Sequence, residues 1–118
     1  MTILERVNSV AGHLRLSIIL RERDETDSAT LLYETCGSAC VRLLAVEADT
    51  RLPDPVHRHL NRATKLLLDV DLSWQNTSKH LALAQRALNR LEMAIDHLEK
   101  PPVNEPVTIR LLDPQEDS

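Results

Sequence analysis

The chain has 118 residues, of which 42% are hydrophobic and 27% charged, and a formal net charge of −4. That length suits one domain with a core that needs no staples, and two isolated glycines exclude a phosphate-cradling loop or a dinucleotide fingerprint. Tyr33 and Trp74 are the only aromatics, so aliphatic side chains must fill the interior, and the leucine-rich mixture favours helices over strands.

Residues 2–23 carry Leu4, Val7, Ala11, Leu14 and Ile18 at spacings of three and four, the stripe of a first helix. Charged "RERDETDS" ends it, and Asp27 or Ser28 is placed to cap a second helix through a side-chain oxygen. The second stripe is Leu32, Cys36, Ala39, Leu43 and Val46. After "DTRLPDP", Asp54 reads as an N-cap with Pro55 at the first helical position, where a missing N–H costs nothing. The third stripe is Val56, Leu60, Ala63, Leu67 and Val70. The fourth is Leu81, Ala84, Leu88, Leu91, Ile95 and Leu98, stopped by Pro101 and Pro102.

Between the last two stripes the apolar spacing runs on through Trp74 and Thr77 without Gly or Pro. However, "DVDLSWQNTS" gathers Asp, Ser, Asn and Thr, which prefer caps and turns. The expected fold is therefore all-α, an antiparallel four-helix bundle over residues 1–100 with a turn within 71–77. The alternative is three helices, one of them continuous over 55–100 and completed by dimerisation. Residues 101–118 form a separate, extended acidic C-terminal tail. In it Val107, Ile109 and Leu111 alternate on one side like a strand, as anchors for docking back on the bundle.

No apolar run approaches the ~20 residues needed to span a bilayer. The N-terminal stretch meets charge at Glu5, Arg6 and Arg15, unlike a signal peptide. Cys36 and Cys40 lie four apart with no disulfide framework, so a reducing cytoplasm and no membrane partner are expected. Gly12 and Gly37, both inside predicted helices, point to close helix approach.

Metal and cofactor binding are not expected. His57 and His59 lie ~200° apart around a helix and cannot share one ion, and no His pair or Glu-x-x-His element has chelating spacing. Cys36 reads as a small core hydrophobe. Catalytic elements are also scarce, and the chain reads as a non-enzyme. "AGHLRLS" around His13 and "SKHLALA" around His80 are similar to the exposed histidine of histidine phosphotransfer bundles, but both lack the lysine-glycine pair that follows it. "RLEMAIDH", Arg90 to His97, is similar to the Arg-(four to six)-His element of HEPN ribonucleases. Leu91 departs from the polar residue usual there, and the two side chains are separated by ~10.5 Å along a straight helix.

Two surfaces stand out. Residues 51–90 hold seven basic side chains against Asp54, Asp69 and Asp71, a locally basic segment in an acidic protein. Arg58, Arg62 and Lys65 point away from the third stripe, and Lys79, Arg86 and Arg90 away from the fourth. Side by side, the two helices would present one basic band for phosphates of a nucleic-acid backbone. The first two helices carry surplus apolar residues opposite their stripes: Leu16, Ile19 and Leu20 on one, Leu31, Val41 and Ala45 on the other. A surface helix of a small monomer is polar there. This face predicts a non-catalytic interaction protein, a regulator, small chaperone or assembly subunit, most simply a homodimer.

Overall fold

The computed structural model describes residues 1–100, so the tail and its anchors Val107, Ile109 and Leu111 lie outside the described residues. The chain forms four helices: α1 (Ile3–Glu22), α2 (Ser28–Glu47), α3 (Asp54–Leu72) and α4 (His80–Glu99), with one 3-10 turn at Thr77–Lys79 before α4. Each helix packs on the next, and α4 returns to α1. Side-chain contacts fix the up-down order. Arg42 of α2 reaches back to Ser9, Tyr33 meets Asp71, His59 meets Arg90, and Arg15 meets Glu92. This is the expected all-α four-helix bundle, and the continuous-helix alternative is set aside. The helix breaks at Ser73, whose hydroxyl turns back to the Asp69 carbonyl at 2.8 Å while its own carbonyl accepts from Asn76 at 2.7 Å. Local side-chain bonding of this kind competes with helix continuation.

The helix starts differ in detail from the sequence reading. Thr2 and Glu5 form a reciprocal capping box on α1, Glu5 N–H donating to Thr2 Oγ1 at 3.1 Å and Thr2 N–H to Glu5 Oε1 at 2.8 Å. Asp27 does stand at the N-cap of α2, but with a left-handed φ of 62° and no side-chain cap bond. On α3 the boundary moves back one residue: Pro53 is the N-cap and Asp54 opens the helix. Asp54 then favours the helix through its charge at the positive end rather than through a cap bond.

The core stripes of α2 and α3 are buried as expected, joined by Cys40, Thr64 and Leu66. In α1, Val10 and Ser17 join the stripe and Leu4 is half-buried. Helix α4 is rotated relative to its predicted stripe. Ala84, Ala87, Leu91 and Ala94 take the centre, while Leu81, Leu88, Ile95 and Leu98 pack from the side. Small side chains at the centre let α4 lie close against its neighbours.

Two further expectations are corrected. Gly12 and Gly37 mark no close approach, since a Cβ at either would meet nothing within 4 Å. Helix α2, contrary to the absence of any such stretch expected above, is long and apolar enough to cross a membrane by length and composition. Much of that apolar character is its core stripe, Leu32, Cys36, Ala39, Leu43 and Val46, buried within the bundle.

Candidate functional site

The basic residues of α3 and α4 converge. Arg62 and Lys65 from α3 and Arg86 from α4 line one surface groove of about 330 Å³, with Leu66, Leu68 and Asp69 completing its wall. One turn further along the same seam, the half-buried Arg90 guanidinium of α4 lies 3.3 Å from His59 Nδ1 of α3. Arg58 flanks the same imidazole closely enough to disfavour its protonation. Lys79 is exposed beyond the other end, outside the groove. Among the described residues the ion pairs use Arg15, Arg21, Arg51 and Lys100, and none of the six band residues has a carboxylate partner. A run of guanidinium and ammonium groups with no carboxylate partner among the described residues supplies the fixed positive charge that phosphate oxygens seek.

His59, read from the sequence only as unable to share an ion with His57, stands at the centre of this cluster. Its ring stacks on His97 of α4, with centroids 5.5 Å apart and planes inclined by 24°. An arginine only donates, so His59 Nδ1 accepts and the ring's proton sits on Nε2. Burial lowers the His59 pKa first, and the positive fields of Arg90, His97 and Arg58 lower it further. Arg90 and His97, spaced too far apart on α4 to meet, are thus bridged by a side chain from the neighbouring helix. The available signal was phase: His59 flanks the α3 stripe, and Arg90 and His97, seven apart, share one face of α4. His57 stays exposed and apart, and among the described residues no His, Cys, Asp or Glu cluster could hold a metal.

The apolar face on α1 and α2 is real but interrupted. Leu16 is 56% and Val41 68% exposed, Ile19, Leu31 and Ala45 are also exposed, and Leu20 is half-buried. Across the middle runs a polar strut. Arg42 donates to Ser9 Oγ at 2.6 Å and to His13 Nδ1 at 3.0 Å. A cavity beside it is lined by His13, Glu34, Thr35 and Ser38. Because the helices are antiparallel, Leu16, Leu20 and Leu31 gather toward the α1–α2 turn. Val41 and Ala45 sit at the other end with Met1 and Arg6. Sequence reasoning expected one face; the structure divides it in two.

The cysteines are structural. Both are free and buried, and burial, followed by the neighbouring Cys40, pushes the Cys36 thiol up to about 12. Cys40 is raised as well, by burial first and then by Asp71 and Glu47. Beside them Glu47 accepts from Asn61 Nδ2 at 3.0 Å and from Thr64 Oγ1 at 2.5 Å, tying α2 to α3.

Fold and site together define a four-helix bundle with a cationic seam between its last two helices. No protein family, curated protein or solved structure matches this chain.

Proposed function

We propose that the protein binds the phosphate backbone of a nucleic-acid duplex along the α3–α4 seam, without reading bases. The supporting observation is the convergence of Arg62, Lys65 and Arg86 in one groove, with no carboxylate partner among the described residues. Duplex rather than single strand fits the chemistry, because neither Tyr33 nor Trp74 lines the seam to stack an unpaired base. Phosphate contacts position a protein on a duplex but carry no sequence information, so binding is sequence-tolerant.

The test is fluorescence anisotropy with a labelled duplex at two salt concentrations. If Arg58, Arg62, Lys65, Arg86 and Arg90 each neutralise one phosphate, the log–log salt slope is about −4.5. Affinity then falls roughly 500-fold between about 50 and 200 mM salt. The Arg62→Gln/Arg86→Gln double variant removes two contacts, giving a slope near −2.7 and a fall of roughly 40-fold. Absence of binding at the lower salt, or a slope unaffected by the double variant, refutes the proposal.

A second reading, a non-catalytic protein contact through the α1–α2 surface, is favoured by the exposure of Leu16, Val41 and Leu44. Its simplest form is a two-fold homodimer. Light scattering on the full chain tests it, with Leu16→Glu and Val41→Glu expected to break the dimer. A monomer at micromolar concentration would remove that form.

A further inference from the structure

Tyr33 and Trp74, the chain's two aromatic side chains, come from different elements yet line one cavity of about 170 Å³. Ala29 and Thr30 from the start of α2, with Thr77 and His80 from the entry to α4, complete it. None of the seam's cations lines this cavity. His80 is 2% exposed, and its Nε2 lies 3.0 Å from the Ser73 carbonyl. A carbonyl only accepts, so Nε2 carries the proton and Nδ1 of the neutral ring is a bare acceptor. Among the described residues, that Nδ1 is buried without a hydrogen-bond partner, a rare condition for a buried polar atom in a folded protein.

The surroundings of this lone pair are electron-rich. The Tyr33 ring tilts over His80 with centroids 5.6 Å apart. Its hydroxyl donates to Asp71 Oδ1 at 3.1 Å, which fixes a carboxylate at the far end of the Tyr33 side chain, outside the cavity's lining. Trp74, 61% exposed, offers a second aromatic face. A lone pair, two π faces and a carboxylate all attract a positively charged N–H donor. The partial positive charges at the starts of α2 and α4, both of which contribute to the wall, oppose this, and the Asp71 carboxylate is the full charge set against them.

We propose that this cavity binds a small organic ammonium of about one ring in size. Its N–H donates to His80 Nδ1, and its charge lies against Tyr33 and Trp74. A cavity of roughly 150 Å³ accommodates a benzene ring, so the volume sets the upper size. Nδ1 is sealed from solvent in this structure, so binding requires a side chain of the cavity wall to move aside, and that movement falls to the exposed Trp74.

Trp74 is the only tryptophan, so its emission reads the site directly. The full chain is titrated with benzylamine, and with benzyl alcohol as an uncharged analogue of similar shape. Benzylamine should give a saturable emission change, and benzyl alcohol should bind at least about tenfold more weakly. His80→Phe keeps a ring while removing the acceptor, and should weaken benzylamine by about tenfold or more, as expected for a lost hydrogen bond to a charged group. Asp71→Asn, on the surface, should also weaken it and guards against misfolding of the buried variant. Amine selectivity with a loss in either folded variant supports the assignment. Equal binding of amine and alcohol, no saturable change, or parental affinity in both variants overturns it.

Discussion

Replacing Gly12 and Gly37 by alanine should stabilise the bundle. Both glycines lie inside helices, in α1 and α2, and neither has a positive φ. A Cβ at either site meets nothing within 4 Å, so alanine introduces neither strain nor overpacking. The gain comes from helix propensity and from a less flexible unfolded chain, about 0.5–1 kcal/mol per site. The sites are on different helices and share no close neighbour, so the effects should add to about 1–2 kcal/mol. For a chain of 118 residues each kcal/mol moves the thermal midpoint by about 4 °C. Thermal unfolding followed by circular dichroism measures the shift, and urea unfolding should show a higher midpoint with an unchanged slope. A single Gly→Ala variant that melts lower would overturn this expectation, because it would reveal a contact at that surface with no room for the added methyl.

His59 is held neutral in the fold, its pKa lowered from the ordinary 6.5 by burial and by Arg90, His97 and Arg58. The unfolded chain therefore binds the proton more readily, and stability that is full above about pH 6.5 falls on acidification toward the folded pKa, less so in His59→Gln. Thermal melts across that range check it, and an identical pH dependence in the variant would count against the cluster. Cys36, pushed up to about 12, should resist iodoacetamide at about pH 8 and react once the chain is unfolded; rapid native labelling would contradict its burial. Ala87→Leu should cost about 1–3 kcal/mol by overpacking the fully buried centre of α4. Urea unfolding that shows no loss would mean that α4 lies further out.

The fold was legible where apolar period and packing coincide. In α2 and α3 every residue of the predicted stripe is buried; in α3 the outward Arg58, Arg62 and Lys65 define the phase, and in α2 the regular spacing of three and four carries it despite apolar residues on the other side. In α4 the leucines dominated the pattern, whereas the packed centre selects alanine for its size, a choice invisible without the opposing helices. The outward direction of Arg58, Arg62 and Lys65 could be read from helical phase. Their meeting with Arg86, and the stacking of His59 on His97, depend on how far α3 and α4 slide along each other. The divided apolar face was hidden for a related reason. One arginine among many apolar residues looks incidental until it reaches across to Ser9 on another helix.

The cationic seam gives the protein an unusual relation to its ionic surroundings. Arg58, Arg62, Lys65, Arg86 and Arg90 lie along two packed helices, and Asp69 is the carboxylate that lines their groove. Along the seam, the packing of Leu66, Leu67, Ala87 and Leu91 beneath thus works against local repulsion among these cations. Dissolved salt, whose screening length is about 10 Å at 0.1 M, relaxes that repulsion and acts as an adhesive for this hairpin, the reverse of its effect on an ion-paired surface. A polyanion lying in the groove would do the same at a single place, so its capture and the tightening of the hairpin become one linked equilibrium. A chain that had answered each arginine with a neighbouring glutamate would melt higher and present no net positive charge along this groove.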